Sequence, residues 1–110
     1  MEKLQLQFLN EMLDTCEKAK KLTPPYNPVG FKGMITKYEK VKPTYGGVIT
    51  AKMLLAKKNY VQQGIIDLWK RNALYLSMEA SVIKPEYKEL FTEQEINIAH
   101  KRLEDLGYFG

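Results

Sequence analysis

The stretch Phe91-Thr92-Glu93-Gln94-Glu95-Ile96-Asn97-Ile98-Ala99-His100-Lys101-Arg102-Leu103-Glu104-Asp105-Leu106-Gly107 carries both ends of a helix in its own letters. Thr92 with Glu95 three residues on is a capping box. The threonine hydroxyl accepts the N–H of the third helical residue, and the glutamate carboxylate reaches back to the threonine N–H. Phe91 and Ile96 stand where a hydrophobic staple would fix the entry of the chain. Ile96, Ala99, Leu103 and Leu106 then recur at three- and four-residue steps, the period of a helix with one buried face. Gly107 is the natural stop, because glycine takes the left-handed backbone that closes a helix without a steric penalty.

The same reading extends towards the N-terminus. Ser77 is a good N-cap for a helix from Met78 to Lys84, which halts before Pro85. Leu74-Tyr75-Leu76 alternates like two or three extended residues, too few for an independent strand. Gly64 to Arg71 predicts a short helix carrying Ile65, Ile66, Leu68 and Trp69, with Trp69 a core anchor between helices. A third helix, capped by Thr44 and running to about Lys58, buries Val48, Ala51, Leu54 and Leu55. Gly46 and Gly47 in its first turn allow another backbone or a ligand to come close. A second helix spans Phe31 to about Lys42 with Phe31, Met34, Ile35 and Tyr38 on one face, weakened by roughly 1 kcal/mol at Gly33 and closed by Pro43. The first runs from about Glu2 to Leu22. Leu6, Leu9, Leu13, Cys16 and Ala19 form its apolar stripe, widened by Phe8 and Met12. Lys18, Lys20 and Lys21 complement its dipole, and Thr23-Pro24-Pro25-Tyr26-Asn27-Pro28 ends it. The predicted fold is all-α, a compact bundle of about five to six short-to-medium helices in a single domain over residues 1–110.

Composition agrees. A chain of 110 residues, 45% hydrophobic and 27% charged, has the size and balance of one globular domain, burying roughly two-thirds of its unfolded surface. No apolar run approaches the ~18 residues of a membrane span, and Met1-Glu2-Lys3-Leu4-Gln5 lacks the pattern of a signal peptide. One cysteine excludes an internal disulfide framework and points to a reducing, cytoplasmic address. The net charge of +4 is unevenly spread. Residues 18–71 hold twelve Lys or Arg against Glu39 and Asp67 alone, while both flanking segments are acidic. Such a layout suits a basic face for nucleic acid or an acidic protein, internal pairing of acidic outer helices with a basic middle, or head-to-tail self-association.

Catalytic machinery is sparse. His100 is the only histidine, and Cys16 lies on an apolar stripe and reads as a core thiol. A Cys16–His100 pair requires the first and last helices to meet. Glu79, two residues past the Ser77 cap, favours the helix dipole; the alternative is a buried acid paired with a lysine or arginine. Gly30-Phe31-Lys32-Gly33 matches the GxxG of KH domains without the strands of that fold. Pro25-Tyr26-Asn27-Pro28 is formally PxxP, and no phosphate-binding GxxxxGK[ST] occurs. No cofactor or metal site is expected. The basic middle is the feature with functional content. Lys52, Lys57 and Lys58 on the third helix, with Lys70 and Arg71 ending the fourth, could flank a helix–turn–helix, with Tyr60 and Trp69 between them. Against a DNA reader, the turn Asn59-Tyr60-Val61-Gln62-Gln63 lacks the usual glycine, and within the basic segment only Arg71 offers a guanidinium for base reading.

From Tyr45 onward, Gly46-Gly47, Leu68-Trp69, Leu74-Tyr75-Leu76-Ser77-Met78-Glu79-Ala80, Pro85-Glu86-Tyr87, Leu90-Phe91-Thr92 and Arg102-Leu103, then Gly107-Tyr108-Phe109, follow in a set order. Together they resemble an uncharacterised family of small bacterial helical modules that occur as short proteins and as appendages to larger ones. It implies a helical fold and an appendable module, and supplies no catalytic residue or cofactor. The expected function is therefore a non-enzymatic protein–protein interaction or adaptor module of bacterial type, its partner another protein or a second copy of the chain. The alternative is a nucleic-acid-binding protein using residues 18–71, with weak, sequence-independent affinity. An enzyme acting through Glu79 or His100 ranks third.

Overall fold

Prolines and caps divide the chain into helices at nearly every point where the sequence signals a break. The computed structural model describes residues 2–57 and 63–110, and of Gln63 the backbone only. Among the described residues there are six α-helices: α1 (Lys3–Lys20), α2 (Val29–Val41), α3 (Gly46–Leu55), α4 (Gln63–Lys70), α5 (Met78–Val82) and α6 (Glu93–Asp105). Two 3₁₀ turns, Leu74–Leu76 and Pro85–Leu90, flank α5. No strand occurs among the described residues, and no helix among them is long and apolar enough to cross a membrane. The fold is an all-α bundle with a radius of gyration of 13.1 Å, the value of a compact chain of this length. Lys58 and Asn59 to Gln62, where the sequence places the end of the third helix and a polar turn, lie outside the described residues.

The caps of α5 and α6 are those in the sequence. Ser77 Oγ accepts from Ala80 N–H at 3.1 Å. Thr92 Oγ1 accepts from Glu95 N–H at 3.1 Å while Glu95 Oε1 accepts from Thr92 N–H at 2.8 Å. At the other end Gly107 has φ +79°. Its N–H donates to Glu104 O and that of Tyr108 to Leu103 O, both at 3.0 Å. That pair of bonds is a Schellman motif.

Three local expectations are corrected. Thr44 does not cap α3. Its backbone is left-handed (φ 76°), and the capping group is Glu39, whose carboxylate accepts from Thr44 N–H at 2.6 Å and Gly46 N–H at 3.0 Å. A carboxylate at a helix N-terminus satisfies open N–H donors and complements the dipole. Leu74–Leu76 is a 3₁₀ turn instead of an extended segment. The turn sends Leu74 into a cluster with Ile65, Ala80 and Leu103, and Leu76 into another with Ala19, Leu68 and Ala73. Trp69 is not a core anchor. It is 45% exposed, because Ile65 and Leu68 take the inward face of the short α4 and leave Trp69 on its flank.

The main core joins Phe8, Leu9 and Met12 of α1 to Ile35, Val48, Ala51, Leu54, Leu55, Met78, Val82, Tyr87, Phe91 and Ala99. The apolar stripe of α1 is rotated from the one read in the sequence. Phe8 and Met12 are at its centre, whereas Leu6 and Leu13 lie at the edge, 43% and 40% exposed. The two glycines of α3 make the close approach they permit. A Cβ at Gly46 would stand 2.7 Å from Ile35 O, and one at Gly47 would stand 3.0 Å from Leu9 Cα. Across the core, Tyr87 packs edge-on against Phe8 at 5.0 Å and donates its hydroxyl to Glu11 Oε1 at 2.8 Å. Lys84 Nζ is 2.9 Å from the other carboxylate oxygen. Burial would raise the Glu11 carboxyl, but the Lys84 ammonium, with the Ser81 and Tyr87 hydroxyls beside it, outweighs that and holds it below its ordinary value. Burial, with Glu11 beside it, pushes the Tyr87 hydroxyl up to about 12. This cluster fastens α1 to the Pro85–Leu90 turn.

Candidate binding cleft

Five segments that are distant in sequence leave between them a cleft of about 440 Å³, within the range of ligand-binding sites. The second half of α1 contributes Thr15, Cys16 and Ala19. The loop Tyr26–Pro28 and the start of α2 add Val29, Phe31 and Met34. Leu54 and Lys57 come from the end of α3, Ile65 and Leu68 from α4, and Leu76 to Glu79 from the entry into α5. Most of this wall is apolar. Val29 is 66% exposed, so apolar surface continues outward from the cleft.

Two arginines hold the walls in place. Arg71, at the end of α4, donates from Nε to Pro24 O at 2.6 Å, from Nη2 to Pro25 O at 3.4 Å and from Nη1 to Asp67 O at 2.7 Å. Its guanidinium also stands 5.4 Å from the centroid of the Tyr26 ring. The proline-rich loop cannot donate from its own prolines, so its carbonyls are satisfied from outside. Arg102 of α6 does the same at another wall. Nη1 donates to Glu79 Oε2 at 3.1 Å, and Nη2 donates to Leu54 O at 3.0 Å and Lys57 O at 3.3 Å. One guanidinium thus joins the first turn of α5 to the open carbonyls at the end of α3.

The electrostatics follow from burial. Glu79 is 1% exposed. Desolvation raises its carboxyl above the ordinary value, with the Arg102 charge and hydrogen bond pulling the other way. Of the two readings the sequence leaves open for Glu79, the structure shows the buried acid paired with an arginine. Burial likewise pushes the Cys16 thiol up to about 11, with Lys32 opposing, and raises the Tyr26 hydroxyl. Cys16 and Glu79 line the cleft but His100 does not. His100 is exposed on α6 and stacks on Phe109 at 4.4 Å. Among the described residues no group of three or more His, Cys, Asp or Glu is placed to hold a metal ion.

The five cations singled out in the sequence have different fates. Lys52 Nζ is 2.7 Å from Glu95 Oε1, the carboxylate of the capping box, and 5.3 Å from the Phe91 ring centroid. It ties α3 to α6. Arg71 is the loop clamp described above, Lys70 is exposed at the end of α4 and Lys57 is exposed at the cleft wall. Lys58 lies outside the described residues. The cleft itself was not visible in the sequence, because the short motifs in its segments, the GxxG of Gly30–Gly33, the PxxP of Pro25–Pro28 and the Ser77 cap, act locally and do not say that these segments meet. Its one local sign is Tyr26-Asn27-Pro28, an aromatic held in a loop that prolines keep out of any helix. Compared with family models, with curated proteins and with solved structures, the chain has no match.

Proposed function

We propose that this protein is a non-enzymatic interaction module, of the bacterial type its sequence resembles, whose cleft receives apolar side chains of a partner protein. The observation that carries this reading is the cleft of about 440 Å³ with predominantly apolar walls. Met34 and Met78 in those walls can adapt to differently shaped side chains. The side chains considered for catalysis are otherwise engaged. The Cys16 thiol is held protonated with a value of about 11, Glu79 is bonded to Arg102, and His100 stacks on Phe109 outside the cleft. A reducing cytoplasm suits a single, buried thiol. Nucleic-acid binding ranks second, since Lys52 and Arg71 already bond to groups of their own chain.

The test is affinity capture with wild type and a Val29→Ser/Met34→Gln variant in parallel, followed by reconstitution from purified components. A protein that binds the wild type and is lost from the variant supports the reading. Equal retention by both, or nucleic acid as the only species held at physiological salt, refutes it.

A further inference from the structure

The chemistry of the occupant can be read from what surrounds the cleft. Most of the wall is drawn from residues 18–71, the segment with twelve cations and two acids. Lys57 stands in the wall itself. Lys20 and Lys32 are the chain neighbours of the lining residues Ala19 and Phe31. Their shared carboxylate is Glu17, 2.9 Å from Lys20 and 3.7 Å from Lys32. One acid thus serves two lysines. The other acids nearby are matched, Asp67 by Arg71 and Glu79 by Arg102. The surround of an apolar cleft is therefore net positive.

Among the described residues there is no sheet edge to which an extended peptide could add, so strand addition is not available there. A largely apolar cleft between helices, with Met34 and Met78 in its wall, suits the helix-in-groove mode, in which anchors at i, i+3 or i+4, and i+7 enter together. A partner helix with carboxylates flanking those anchors would meet the lysines, and charge of opposite sign would steer the encounter and fix its register.

We infer that the occupant of the cleft is an acidic amphipathic helix of a partner protein, its apolar face inside and its carboxylates towards Lys20, Lys32 and Lys57. This rests on the reading of the protein as an interaction module. The test uses the full chain and a displayed library of helical peptides with apolar anchors at helical spacing and flanking positions drawn equally from Asp, Glu, Lys, Arg, Ser and Gln. Selected peptides are titrated by fluorescence anisotropy against wild type, Val29→Ser/Met34→Gln and Lys32→Glu/Lys57→Glu, with circular dichroism verifying that each variant is folded.

The inference expects selected peptides rich in Asp and Glu. Their affinity should fall at least tenfold in each variant and weaken with added salt. Peptides in which Lys replaces each acid should bind the charge-reversed variant better than wild type. Neutral or basic winners that still lose affinity in Val29→Ser/Met34→Gln would overturn the inference and leave the interaction reading standing. So would acidic winners indifferent to Lys32→Glu/Lys57→Glu. Absence of any binder, or binders that ignore Val29→Ser/Met34→Gln, would overturn both. A single-stranded oligonucleotide that displaces the peptides at physiological salt would overturn both in favour of nucleic acid.

Discussion

Arg102→Leu removes the group on which one wall of the cleft depends. The native guanidinium gives Glu79 its cation and supplies donors to Leu54 O and Lys57 O. Leucine retains helix propensity and an apolar stem but makes none of these bonds. Glu79, 1% exposed, is left with neither water nor a counter-charge. Breaking a buried pair from one side is destabilising by about 3–5 kcal/mol, a large part of the ~5–15 kcal/mol that holds a typical domain folded. The carboxylate can relieve this by taking a proton. Burial raises its folded value even with Arg102 present, and loss of the cation raises it further. A carboxyl whose folded value exceeds its unfolded one binds its proton more tightly in the native state. Its favourable contribution is therefore full below the unfolded value and is lost as pH rises through the folded one. The penalty of Arg102→Leu should be small near the ordinary glutamate value and grow towards neutral pH. Urea denaturation of wild type, Arg102→Leu and Glu79→Leu/Arg102→Leu at several pH values measures this. The double variant replaces the pair by apolar groups, a change that is often neutral. It should recover most of the loss and show little of the pH dependence. A loss under ~1 kcal/mol at neutral pH would refute the reasoning, as would a loss independent of pH or a double variant no more stable than the single one.

Thr92→Ala should lower stability by ~1 kcal/mol by breaking the capping box of α6, read as a shift of the urea midpoint with unchanged slope. Gly33 and Gly46 should respond with opposite signs. Nothing lies within 4 Å of a Cβ at Gly33, so Gly33→Ala should stabilise by about 0.4–1 kcal/mol. Gly46→Ala drives a methyl against Ile35 O and should destabilise by about 1–3 kcal/mol. Trp69 should show red-shifted emission accessible to iodide, and Trp69→Ala should cost well below the ~3–5 kcal/mol of a buried aromatic. Blue-shifted, protected emission would contradict its place on the flank of α4. With a thiol value of about 11, Cys16 should react with a disulfide reagent near pH 8 far more slowly in the native protein than in urea. Equal rates would show the cleft wall to be open at that point.

Adjacent residues were enough to set the local framework. Thr92 with Glu95, Ser77 with Ala80 N–H and Gly107 at its positive φ act within one turn of backbone, so their geometry is legible without any neighbour. The prolines after Leu22, Lys42 and Lys84 end helices for the same reason, and the all-α class follows from these signals taken in sequence. Cys16 and Glu79 could be flagged from their apolar surroundings, although Glu79 could not be assigned a partner.

Everything that depended on which helices become neighbours was decided by the tertiary structure. Alternation at helical spacing allowed Leu6 and Leu13 on the stripe of α1 as readily as Phe8 and Met12. The approach of Gly47 to Leu9 is part of what fixes which side turns inward. The sequence placed Lys52, Arg71 and Arg102 only as cations. Their carboxylate and carbonyl partners stand 43, 47 and 23 residues away in Glu95, Pro24 and Glu79. Caps and propensities are short-range, acting over a few residues, whereas burial, ion pairing and the space left between helices are sums over the whole packing. The cleft belongs to the second kind. It has no motif, because it is what five separately specified segments leave between them when two arginines hold their ends.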